Sequence, residues 1–150
     1  PSADYPAAAL ALQAQIITDR RTIEAGDFFQ GMFATALHND EIITGVRFRS
    51  PTRCAYAKFK HPASGYAMAG VFVAQYPVGT GAQGAWRVAV TGVAHGVFRW
   101  SDAEQAMAHN TLVPPLVRDD VIDDVHAPAA YRAHLAGIML AQAGQAWARA

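Results

Sequence analysis

The stretch from Ala55 to Trp100 constrains this chain most, because its periodicity is that of β-strands throughout. Ala55 to Lys60 alternates, with Tyr56 and Lys58 on one side and Ala57 and Phe59 on the other. Pro62 to Gly65 reads as a loop. Ala67 to Tyr76 and Trp86 to Ala94 are two further strands, the second alternating through Val88, Val90 and Gly92. The glycine-rich run from Pro77 to Ala85 joins them, so the pair is expected as an antiparallel hairpin with a long loop. After a turn at Gly96, Val97 to Trp100 is a shorter extended piece.

Helical patterns flank this block. In the first fifty residues, Pro6 suits a first helical turn and Ala7 to Leu12 continues it. Ala14 to Thr18 and Arg21 to Glu24 read as short strands. Asp27 to Gln30 is one helical turn closed by Gly31, and Glu41 to Phe48 is a β-branched strand that Ser50-Pro51 ends. Residues 50–53 are a boundary. In the last third, Ser101 and Glu104 are spaced as a capping box. That helix runs to about His109, where Asn110 can stop it. A longer helix is expected from near Pro128 to Trp147. Its apolar face is Tyr131, Leu135, Ile138, Met139, Ala143, Ala146 and Trp147. The fold class is α+β: a three-stranded antiparallel sheet packed on C-terminal helices, with a smaller α+β unit ahead of it.

Composition narrows the function classes. Hydrophobic residues make up 52% of the 150, and 32 of them are alanine. The remaining 46 suffice for one ordinary core, and with charged residues at 16% the chain is not a disordered one. Twelve basic and twelve acidic residues give zero net charge, which argues against a nucleic-acid partner. No apolar run approaches the ~18 residues of a membrane span. No basic-then-apolar leader opens the sequence. Cys54 is the one cysteine. It allows no internal disulfide and no iron–sulfur cluster, points to the cytoplasm rather than an oxidising compartment, and is expected as a buried, inert thiol.

Several motifs have simpler readings than the chemistry they suggest. Gly79 to Gly84 matches G-x-G-x-x-G, but both flanks read as strands, and a dinucleotide site needs a helix after the glycines. Asp119, Asp120, Asp123, Asp124 and His126 are hard-cation ligand types without calcium-loop spacing, so a solvated loop is expected. The six histidines lack zinc spacing, and no G-x-S-x-G is present. Lys58 and Lys60, the only lysines, share one side of a strand. They suit either a solvated edge or an anionic cofactor.

Five segments in order carry a resemblance. They are Asp27-Phe28-Phe29-Gln30-Gly31-Met32-Phe33-Ala34-Thr35-Ala36-Leu37, then Asp40 to Thr44, Ala55 to Ala67, Arg87 to Ala94, and Asp124 to Leu135. Together they resemble the FAD-binding medium subunit of molybdenum hydroxylases, the group of aerobic carbon monoxide dehydrogenase and xanthine dehydrogenase. The resemblance implies an oxidoreductase subunit that holds FAD and passes electrons to an acceptor. Its partners would be an iron–sulfur small subunit and a molybdopterin large subunit. It places the chain in the C-terminal half of that subunit, with residues 1–50 the C-terminal part of the FAD-binding subdomain and 51–150 the flavoprotein C-terminal domain.

Residue by residue, Asp4 resembles the aspartate that hydrogen-bonds FAD, and Ile43 the residue that packs on the flavin side. Lys60 resembles the basic residue near the cofactor, and Tyr66 an aromatic over the isoalloxazine. No catalytic or metal-binding residue is implied. The family's usual His-Ala-Ser-Ala-Glu-Tyr-Arg reads His126-Ala-Pro128-Ala-Ala130-Tyr-Arg132 here, which removes a side-chain helix cap. The alternative is an interaction or scaffold domain without flavin.

Overall fold

The computed structural model describes residues 2–77 and 86–147. The Gly79–Gly84 motif and most of the loop that carries it lie outside the described residues. The elements are α1 (Asp4–Ala11), β1 (Gln15–Thr18), β2 (Thr22–Glu24), α2 (Ala25–Phe28), β3 (Phe29–Gly31), β4 (Ala34–Thr35), β5 (Ile43–Arg47), β6 (Arg53–Lys60), β7 (Ala67–Gln75), β8 (Trp86–Thr91), β9 (Phe98–Arg99), α3 (Ser101–Ala108) and α4 (Ala129–Trp147).

The alternation in β6, β7 and β8 builds a two-faced antiparallel sheet in the order β6-β7-β8-β9. The three expected strands are all there, and the two-residue β9 adds a fourth at the edge. Pairing puts Ala57, Val71 and Val90 in one row across the sheet, and Ala55, Val73 and Val88 in the next. Both rows face Leu135, Ala136, Met139, Leu140 and Ala143 of α4, with Trp100 and Ala103 closing the core. The opposite face carries the row Tyr56, Phe72, Ala89, and α1 packs there through Ala7 and Ala11. A side chain of one carbon lets the helix backbone come close to the strands, which is where much of the alanine is used. Burying each of the core valines contributes roughly 1.5–3 kcal/mol.

α1 also turns Ala9 toward a second cluster with Ala14, Ile16, Ile23, Ala25 and Phe28. That cluster lies under a small sheet ordered β2-β1-β5. The helix is therefore clamped on two sides. Its entry is fastened as well: Ala67 N–H donates to the Ser2 carbonyl (3.3 Å) and Thr91 Oγ1 to the Ala3 carbonyl (3.0 Å).

Four expectations need correction. Ser101 makes no capping bond, and α3 is capped at Trp100 without a side-chain partner. Glu104 instead turns inward, accepting from Val88 N–H (3.0 Å) and from the Arg99 guanidinium, because an unpaired strand N–H is a stronger claim on a carboxylate than a solvated helix end. The buried face of α4 is rotated from the expected one. Tyr131, Ile138 and Ala146 are exposed, and the core side runs through Arg132, Leu135, Ala136, Met139, Leu140 and Ala143. The helical turn at 27–30 sits earlier, over Ala25–Phe28, and Gln30 and Gly31 join β3, with Gly31 at φ +140°. Cys54 is exposed, because it sits near the start of edge strand β6 on the side away from α4.

Leu135 tests the corrected core. Leu135→Ala is expected to cost about 2–5 kcal/mol, while Tyr131→Ala and Ile138→Ala stay much nearer wild type. Equilibrium urea unfolding separates the two outcomes.

Candidate functional site

One row of the sheet seats the start of α1. Lys58, Gly70 and Thr91 lie side by side on the α1 face of β6, β7 and β8. Asp4, in the first turn of α1, reaches over this row. Its carboxylate accepts from the Tyr56 phenol (2.6 Å) through one oxygen and from Lys58 Nζ (2.6 Å) through the other. Burial pushes the Asp4 pKa up, but the Lys58 and Tyr56 hydrogen bonds and the charges of Lys58 and Lys60 outweigh it, so the net shift is downward. Burial and the Asp4 bond push the Tyr56 phenol far up, so it stays a donor. The tyrosine ring occupies space that only glycine leaves free: a Cβ on Gly70 would meet the Tyr56 hydroxyl at 2.4 Å.

Lys60 follows on the same side of β6, past a register shift between Phe59 and Lys60. Met68 falls out of register there. Beyond Lys60 the chain turns sharply. His61 N–H donates to the Tyr66 carbonyl (2.8 Å), and Ala63 and Ser64 N–H both approach His61 Nδ1 (3.3 Å each). His61 Nε2 lies 3.3 Å from His126 Nδ1. The two rings stand nearly perpendicular, with centroids 4.7 Å apart.

His126 belongs to a segment held by Arg132. This arginine is 5% exposed, bonds both Asp124 oxygens at 2.8 Å, and donates to the carbonyls of Met68 (3.3 Å) and Gly92 (3.2 Å). Its Nε has no partner. Asp124 also accepts from the N–H groups of His126 and Ala127, and the Arg132 bonds come first in holding its pKa down to about 2. Three of the four aspartates of the 119–124 stretch thus serve the fold: besides Asp124, Asp120 pairs with Arg118, and Asp123 takes the Ala129 N–H at the start of α4.

These parts enclose a cavity of about 660 Å³. Ser2, Ala3, Phe33, Tyr66 and Met68 line it together with the His61–His126 pair and Arg132. Tyr66 is 59% exposed there. Asp4 and Lys60 flank it, each next in the chain to a lining residue, and their charges interact. Ile43 is elsewhere: it lies on β5 of the other sheet, 43% exposed, and does not line this cavity. The structure therefore gathers Asp4, Lys60 and Tyr66 and leaves Ile43 apart. A cleft of about 720 Å³ between the 111–116 segment and α4 is almost wholly apolar, with His134 its one ionisable group.

Several of these groups left little trace in local sequence pattern. Tyr56 and Lys58 share a face by alternation, but Asp4 is more than fifty residues away. Glu41 is a similar case. It is buried, paired through both oxygens with Arg21 (2.8 and 2.9 Å) and bonded by Thr18 and the His38 N–H. The Arg21 bonds lead in driving its pKa far below the ordinary carboxylate range.

The arrangement is that of a half-open pocket with aromatic walls and the Asp4 carboxylate beside it, suited to a flat ring with a polar edge. Residues 1–50 match the family described as the FAD binding domain in molybdopterin dehydrogenase. The chain is 32% identical over 143 residues to the nicotine 6-hydroxylase medium subunit of Paenarthrobacter nicotinovorans, covering 86% of this chain and 50% of that one. It is 29% identical to the carbon monoxide dehydrogenase medium chain of Hydrogenophaga pseudoflava, covering 99% and 58%. A solved structure of carbon monoxide dehydrogenase from Hydrogenophaga pseudoflava superposes with a TM-score of 0.76 at 28% identity, over 99% of this chain and 57% of that one. The carbon monoxide dehydrogenase of Oligotropha carboxidovorans gives 0.73 at 26%, over 95% and 55%. Residues 1–50 thus match an FAD-binding domain family, and the chain as a whole is similar to medium subunits of molybdenum hydroxylases. It spans about half the length of the curated relatives it matches. Among the described residues no helix is long and apolar enough to cross a membrane.

Proposed function

We propose that this chain is the C-terminal half of an FAD-binding medium subunit, and that the cavity beside Asp4 receives the flavin ring. It would act as an oxidoreductase subunit in the cytoplasm. Electrons would arrive from an iron–sulfur small subunit, having left the substrate on a molybdopterin large subunit. Residues 1–50 would complete the FAD-binding subdomain and 51–150 form the flavoprotein C-terminal domain. The observation that carries this reading is the fixed Asp4 carboxylate beside an aromatic-lined cavity.

The residues fit a flavin by their chemistry. FAD, when bound, supplies the electron-accepting ring and takes electrons singly or in pairs. Asp4 offers acceptor lone pairs for a polyol hydroxyl, since Tyr56 and Lys58 use one site on each oxygen. Because both bonds fix the carboxylate before the ligand arrives, little ordering cost remains at binding. Lys60 places positive charge near the cofactor's anionic parts. Tyr66 covers ring surface, and the Arg132 guanidinium lines the cavity with it. Ile43 would pack on the flavin side only in an arrangement that brings β5 to the cavity.

Flavin absorbance in the visible range of the intact protein as isolated is the direct test. Asp4→Ala is expected to weaken FAD at least tenfold, by loss of a charge-assisted hydrogen bond of about 1.5–3 kcal/mol. An intact protein that never carries or takes up flavin would instead support the scaffold reading.

A further inference from the structure

Phe33 carries two costs that nothing in the described chain repays. It forms the tip of the β3–β4 hairpin with Met32, and its φ of +56° lies in the left-handed region that asparagine and glycine adopt readily and a bulky side chain does not. Its ring is 89% exposed, among the most exposed large apolar side chains in the molecule. A tip built only for turning would use Asn or Gly there. Local strain of this kind concentrates where a ligand is gripped. The ring also lines the cavity that Tyr66, Met68 and Arg132 line.

We propose that Phe33 is a second aromatic wall of that cavity, held at the hairpin tip to stack on a planar heteroaromatic ring. This rests on the flavin reading above and names the residue that, with Tyr66, would hold the ring by its faces. Aromatic surfaces favour offset stacking or edge contact, so two exposed rings around one hollow select a flat, extended π-system over an aliphatic ligand. The hairpin gives up stability to present the ring, and binding recovers it.

The test uses the intact protein, with thermal melting of the flavin-free form and FAD titration of each variant. Phe33→Asn relieves the backbone and removes an exposed apolar ring. It is expected to raise the flavin-free melting temperature by a few degrees while weakening FAD binding at least tenfold. Phe33→Trp is expected to keep FAD within about threefold and to preserve the quenching of flavin fluorescence. The inference fails if Phe33→Asn binds FAD within twofold of wild type. It also fails if stability and binding fall together, which would make the ring a structural prop. Loss of partner-subunit association with flavin retained would assign the ring to a protein interface and overturn it too. A wild-type protein that takes up no flavin would overturn the flavin reading itself, a result distinct from a flavin-binding protein indifferent to residue 33.

Discussion

Gly92→Ala should lower the melting temperature by on the order of 10 °C, corresponding to about 3 kcal/mol or more. Two independent effects add at this residue. Its φ of +79° is strained for any side chain, and a Cβ built there would stand 2.2 Å from the Ala67 carbonyl oxygen. The obstruction is backbone on a buried strand, so no side chain can swing aside to make room. Gly92 directly follows β8 and offers its carbonyl to Arg132, so the shift would spread into the cavity wall. Calorimetry of Gly92→Ala beside a surface control such as Gly144→Ala measures the effect. A melting temperature within a few degrees of wild type would contradict the close approach of residues 67 and 92.

Arg132→Met should be nearly as damaging. It removes the buried donor for two carbonyls and the cation paired with the exposed Asp124 carboxylate. Losing a charged donor to two carbonyls suggests about 2–3 kcal/mol. The pH dependence gives a second readout. The Asp124 pKa is depressed to about 2 in the fold, against the ordinary carboxylate value near 4 in the unfolded chain. Its contribution is therefore fully present above pH 4 and is lost as pH falls toward 2. In Arg132→Met that acid-limb decline should flatten, as it should in Asp124→Asn. If the unfolding free energy of wild type and Asp124→Asn falls in parallel from pH 4 to pH 2, the depressed value is wrong.

What could be read before the fold was known depended on whether the signal was local. The period of two in β6, β7 and β8 was plain because side chains alternate between the face under α3 and α4 and the face under α1. The side shared by Tyr56 and Lys58 followed from the same alternation. Local pattern failed where tertiary partners outbid it. Ser101 and Glu104 have capping-box spacing, yet Glu104 serves a strand N–H sixteen residues upstream. On α4, alanines and a glycine fill the gaps between larger residues, so several neighbouring faces looked equally apolar and the wrong one was favoured. The site was legible in part. Asp4, Lys60 and Tyr66 came from family resemblance and do gather. Ile43, from the same source, does not. The His61–His126 contact, the Arg132 clamp and the left-handed backbone of Phe33 have no local signature, since each depends on segments far apart or on a dihedral angle that composition does not encode.

The fastening of α1 has a consequence for biosynthesis. The hydroxyl that holds the helix entry belongs to a residue 88 positions later than the carbonyl it grips. A nascent chain emerging from the ribosome would carry this alanine-rich segment with only its Ala9 side covered, and the Ala7–Ala11 side would stay bare until β7 and β8 have cleared the exit tunnel. Such delayed closure penalises folding speed and prolongs the exposure of sticky intermediates. Slowed translation ahead of β8, or depletion of holdase chaperones, should therefore cost more soluble yield than the same disturbance placed after α3.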